Sequence, residues 1–175
     1  MKKALILLFL FFSTSLLFAQ SKDPIQFVKE NRIKWYDEND IDELVQACEL
    51  TTQDDFIYIE EAATNFSLGI VLLNKKSFYY FDNTKIIEKK LTDTVINELS
   101  SMKFSNTRET GQPARDKSYY NIFIKSGETI TYVLFDNSSI SNTLDDDIKE
   151  KDRQTAVKLL DLIGIGIYTF LWEDV

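Results

Sequence analysis

Two alternating runs joined by one glycine-bearing turn constrain this chain more than any other feature. In Tyr119 to Lys125, the residues Tyr120, Ile122 and Ile124 alternate with Tyr119, Asn121, Phe123 and Lys125. In Glu128 to Phe135, Ile130, Tyr132 and Leu134 alternate with Thr129, Thr131, Val133 and Phe135. Successive side chains of a strand point to opposite faces, so this period of two belongs to strands rather than to a helix. Ser126-Gly127 between the runs supplies the tight turn of a β-hairpin. The remaining segments must be arranged around that sheet.

Further strands precede the hairpin. Phe56 to Glu60 is rich in β-formers, and Phe66 to Leu73 is a nearly continuous apolar run around Gly69, as expected of a central buried strand. The aromatic run Ser77 to Phe81 follows through the turn Asn74-Lys75-Lys76. Lys85 to Lys90 reads as a short edge strand, because lysines discourage edge-to-edge pairing. Helical patterns flank these strands. Asp23 is a candidate N-cap with Pro24 in the first turn of a helix over 24–35, and a second helix is expected over 40–50. A third, over 93–102, has Thr92 as its cap and Val95, Ile96, Leu99 and Met102 on one face. The last begins near Thr143, three residues before Asp146, with Asp145 to Asp147 where the helix dipole favours negative charge. Its stripe is Ile148, Ala156, Leu159, Leu160 and Ile163; Gly164 and Gly166 then interrupt, leaving 165–172 as a strand or more helix. The order of elements predicts an α+β fold, an antiparallel sheet of about five to six strands with helices packed on one face.

The first nineteen residues read differently. Lys2 and Lys3 precede an apolar stretch that ends at the small residue Ala19, the pattern of a cleavable signal peptide, with Gln20 opening the mature chain. The apolar run is marginal for a bilayer core that needs about 20 residues, and no cysteine follows it to carry a lipid. The expected organisation is therefore a signal peptide over 1–19 and one domain over 20–175, located in the periplasm or secreted, and not embedded in a membrane after cleavage.

Charge limits the partners. The chain carries 20 Lys and Arg against 28 Asp and Glu. Loss of residues 1–19 removes two lysines and no acid, taking the formal charge from −8 to −10. Nucleic-acid binding needs clustered basic residues on phosphates, so that class is disfavoured. A basic protein partner is compatible with this balance.

Two shortages exclude most catalysis. The chain has no histidine and one cysteine. Ser-His-Asp and Cys-His hydrolysis, HExxH proteolysis and histidine-based zinc sites all need what is missing. Neither CxxC redox chemistry nor an intramolecular disulfide can be built from Cys48 alone. It shares a helical face with Ile41, Leu44 and Val45, which predicts a buried small apolar residue. Dinucleotide, P-loop and nucleophile-elbow motifs are absent too. Carboxylates remain. Glu60-Glu61 and Asp54-Asp55 could serve acid–base work by type, but adjacent strand residues face opposite ways. The run Asp37 to Glu43 resembles a calcium loop only in its oxygens, with Ile41, Asp42 and Cys48 where the motif needs other residues. No cofactor and no metal site is expected.

Two sets of residues are candidates for binding. The polar stretch 105–117 reads as a long loop carrying Arg108, Arg115 and Lys117, cations able to grip a carboxylate or phosphate. Trp35, Tyr79 and Tyr119 represent aromatic runs that could form a surface patch, although core packing and ordinary cross-strand pairing are the better account of such runs. The expectation is a non-enzymatic interaction protein, an inhibitor or immunity-type binder. The alternative is a carboxylate-based carbohydrate-active or small-ligand-binding periplasmic protein.

Overall fold

The computed structural model describes residues 23–33, 38–62, 67–82, 85–108, 119–136 and 150–164. Helices α1 (Pro24–Asn31) and α2 (Glu38–Cys48) precede four strands, β1 (Phe56–Ala62), β2 (Ser67–Leu72), β3 (Ser77–Asp82) and β4 (Lys85–Lys90). Then come α3 (Asp93–Ser100), the two-residue β5 (Thr107–Arg108), β6 (Tyr119–Ser126), β7 (Thr129–Asp136) and α4 (Glu150–Ile163). One sheet joins all seven strands in the order β4-β3-β2-β1-β6-β7-β5.

The class is mixed α+β, and every strand pairing is antiparallel except the parallel contact of β5 with β7. Sequence reasoning missed β5 because two residues carry no period; it raises the strand count to seven and makes the sheet mixed. Lys85 to Lys90 does occupy an edge.

Helices cover both faces of the sheet, not one. The reason lies in the central strands, which are apolar on both sides. Ile57, Ile59, Val71, Ile122, Ile124 and Val133 pack with Ile96 and Leu99 of α3 and with Ala156, Leu159, Leu160 and Ile163 of α4. The alternate residues Phe56, Tyr58, Leu68, Ile70, Leu72, Phe123 and Leu134 pack with Val28 of α1 and Ile41, Leu44 and Cys48 of α2. Burying one such aliphatic or aromatic side chain contributes about 1.5–3 kcal/mol, so a single covered face would forgo half the core. At Gly69 the chain tolerates no side chain: a Cβ there would come within 2.4 Å of Phe78, whose ring stacks on Tyr80 with centroids 4.9 Å apart.

Helix ends follow the expected chemistry at several points. Asp23 Oδ1 accepts from the Ile25 amide at 2.9 Å, with Pro24 opening α1. The Thr92 hydroxyl accepts from Val95 N at the start of α3. The expected 24–35 helix is shorter, because Arg32 turns to extended backbone (ψ 156°) to place its side chain under the sheet. The expected 40–50 and 93–102 helices run over 38–48 and 93–100. Gly164, at φ +80°, follows the last turn of α4, where the Lys89 ammonium donates to Ile163 O at 3.1 Å. Thr143, Asp145 to Asp147 and 165–172 lie outside the described residues. Among the described residues no helix is long and apolar enough to cross a membrane.

One end of the sheet gathers the tight connections. The pairs Phe56↔Leu72, Leu72↔Ser77 and Ser126↔Thr129 bring the 51–55 loop, the 73–76 turn and the Gly127-Glu128 turn together. The candidate site lies there, beside the N-terminus of α1.

Candidate binding cleft

A cleft of about 320 Å³ opens between α1, the 51–55 loop and the β6–β7 hairpin. Pro24, Phe27 and Ile130 form its apolar wall; Thr52, Gln53, Lys125 and Glu128 supply polar groups. Local chemistry fixes each side. The Asp23 cap sets the start of α1, and Phe27 packs against Phe123 and Tyr132 with ring centroids 6.4 Å away in each case. In the loop, Asp54 Oδ2 accepts from the Thr51 amide (2.7 Å) and hydroxyl (2.8 Å), while Asn74 Nδ2 donates to Oδ1 at 2.6 Å. Burial alone would raise the Asp54 carboxyl; the bonds from Thr51 and Asn74 outweigh it and hold the group below its ordinary range. Asp55 Oδ1 accepts from Gly127 N at 2.7 Å, tying loop to hairpin tip.

Lys125 sits at the floor of this cleft and is 5% exposed. It lies on the same face of β6 as Asn121 and Phe123, the face covered by α1 and α2. Its ammonium donates to Asp54 O at 2.9 Å, and its nearest carboxylate oxygen, Asp55 Oδ1, is 3.9 Å away. An ammonium has three donors, and the second distance is too long for a hydrogen bond.

The other buried polar groups are engaged within the fold. Arg32 donates to Glu60 Oε1 at 2.6 Å, both side chains being at most 1% exposed. Tyr58 OH and Asn121 Nδ2 donate to Glu60 Oε2, each at 3.0 Å, and Asn121 also bonds both the amide and carbonyl of Ile33. Burial raises the Glu60 carboxyl against the pull of Arg32. Glu61 faces the opposite side of the sheet, accepts from Tyr120 OH at 2.9 Å, and is likewise raised by burial. The two adjacent glutamates thus form no acid–base pair. Asp152, fully buried on α4, accepts from Ser105 N and Oγ and, at 2.6 Å, from Thr107 Oγ1.

Of the residues singled out in the sequence, the described structure places the side chains of Arg108 and Tyr79. Arg108 is exposed in β5, and its neighbours Ser105 and Thr107 are pinned by Asp152, so the first part of the supposed 105–117 loop is fixed structure. Arg115, Lys117 and Trp35 lie outside the described residues, as does the side chain of Tyr119. Tyr79 is half-buried against the α2 side of the core, and its hydroxyl donates to Glu88 Oε1 at 2.9 Å. Lys90, Ser77 and Tyr79 converge on that carboxylate and lower it to about 2. Lys90 Nζ also lies 2.7 Å from Ser77 Oγ. The serine has no exposed surface, which leaves a substrate no line of approach to its oxygen. Among the described residues no three metal-ligating side chains converge. The cleft residues escaped sequence reasoning: Lys125 alternates with Tyr120, Ile122 and Ile124, and its burial follows from helices covering both faces of the sheet.

No protein-family model, curated protein or solved structure matches this chain.

Proposed function

We propose that the chain is exported with loss of residues 1–19 and acts as a non-catalytic binding protein, an inhibitor or immunity-type domain whose partner is another protein. One observation carries this reading. Glu60, Glu61 and Asp152 are buried carboxylates whose described partners are residues of the fold itself, and each carboxylate ties its own element to another segment. Groups engaged in this way hold the scaffold and leave recognition to the surface. The acidic balance of the chain favours a basic partner, steered by long-range attraction that salt weakens.

The test is affinity capture from envelope extract at low and physiological salt, followed by reconstitution of the complex from purified components. A stoichiometric complex weakened by salt is expected. Failure to recover any reconstitutable partner at either salt concentration overturns the proposal. A second reading, small-ligand binding, is favoured by the cleft at Lys125.

A further inference from the structure

We infer that the cleft at Lys125 is the recognition pocket for an uncharged stretch of a partner polypeptide, one that seats an apolar side chain on Pro24, Phe27 and Ile130 and presents a backbone carbonyl to the Lys125 ammonium. The inference rests on the protein-binding reading and names its surface.

Three observations converge on this occupant. The first is the apolar wall, built from residues held at α1 and β7 beside the half-buried aromatics Phe27 and Tyr132. Apolar pockets flanked by polar rims are where partner side chains anchor. The second is the floor. Lys125 makes one hydrogen bond, to Asp54 O, while its carboxylate neighbour stays at 3.9 Å. A buried ammonium with donor capacity left over needs an acceptor. The third is the sign of the surroundings. Asp55 lies beside the ammonium and Glu128 lines the cleft, with Asp23 and Asp54 on the adjoining segments. An incoming carboxylate would meet Glu128 in the lining and Asp55 beside the ammonium, whereas a neutral carbonyl satisfies the donors without that repulsion. The volume, about 320 Å³, is at the small end for ligand sites and suits about one peptide residue rather than a cofactor.

The test uses the chain expressed with its natural N-terminus, in the processed form the cell delivers, labelled with ¹⁵N. N-acetyl-phenylalaninamide is titrated against it, with N-acetyl-phenylalanine as the anionic control. The neutral amide is expected to shift the Gln53, Lys125, Glu128 and Ile130 amides with a Kd of about 1–10 mM, as a fragment this small allows. The acid is expected to bind more weakly. Lys125→Met should weaken the amide about tenfold, the loss typical of a charged hydrogen bond. Thr52→Trp, a change at an exposed rim position that leaves the core intact, should block binding even if the Lys125 variant folds poorly. Shifts absent or placed elsewhere, tighter binding of the acid, or full binding by Thr52→Trp would each overturn the inference. Fragment binding without any captured partner would support the pocket while removing the protein-partner reading. A partner captured equally by wild type and Thr52→Trp, with no fragment shift, would do the reverse.

Discussion

Glu60 shows how much of this fold depends on single polar atoms. Its carboxylate lies in a nearly dry layer between α1 and the sheet, and Arg32, Tyr58 and Asn121 all donate to it. Removing one charge of such a pair breaks a charged hydrogen bond in a buried layer, where a charge held by fewer partners is costly. Glu60→Gln is therefore expected to cost about 3–5 kcal/mol in urea unfolding, whereas Arg32→Met with Glu60→Met should recover most of that loss. A single variant within about 1 kcal/mol of wild type would refute the account. Glu61 behaves differently because, among the described residues, Tyr120 is the one donor to its carboxylate, and burial raises that carboxyl above the ordinary 4.5. A raised carboxyl means the folded chain holds its proton when the unfolded chain has lost it. Stability therefore falls as pH rises from about 4.5 through the folded pKa, and none is lost below. Glu61→Gln should be more stable than wild type at pH 7, with the advantage fading below the ordinary carboxylate range; thermal melts across pH 3–8 check it. At this scale the sequence was legible where a local rule applies, as at Asp23, Thr92 and Cys48. It was opaque at Arg32 and Glu60, whose pairing spans 28 residues and obeys no local rule.

At the scale of elements, Asp152 does for α4 what a hydrophobic contact cannot. It occupies the apolar stripe with Ala156, Leu159 and Leu160, yet is fully buried, and it holds the 105–107 segment so that β5 can lie along β7. Asp152→Ala would strand the Thr107 hydroxyl and the Ser105 amide. A loss of about 2–4 kcal/mol is expected, with hydrogen exchange at Thr107 and Arg108 accelerating more than at β1 or β6. Uniform acceleration across the sheet would show that the segment is not a separate unit. An acid in phase with a greasy stripe is a visible signal, but sequence periodicity cannot say which strand-forming residues it will fix. The placement of helices on both faces was also within reach. The nearly continuous apolar run at 66–73 already marked a central buried strand, and Ile57 and Ile59 oppose Phe56 and Tyr58 across β1. An element-order rule overrode that residue pattern, and the residue pattern was the better guide.

At the scale of the whole molecule, a chain with one cysteine is held together without an intramolecular disulfide, and the export we propose favours a thiol kept out of solvent. Cys48 meets that need through position. It is 1% exposed beneath α2, and burial pushes its thiol up to about 11, against the pull of Lys75 and the neighbouring amide of Leu50. The thiolate is the reacting species, so burial and protonation suppress its chemistry together. In native buffer at pH 8 a disulfide reagent should label Cys48 at least about a thousandfold more slowly than a free thiol, and the rate should climb with urea as the fold opens. Because the thiol lies between the last turn of α2 and the central strands, labelling reports opening of that end of the interface. The melting temperature should be the same with and without reductant. Intact-mass measurement on the same sample, recovered from an exporting host, tests the proposed removal of residues 1–19 independently of the thiol chemistry. Labelling of the native protein within about tenfold of a free thiol would show that the α2 layer opens readily, and burial of Cys48 would then no longer account for a lone thiol surviving the export we propose.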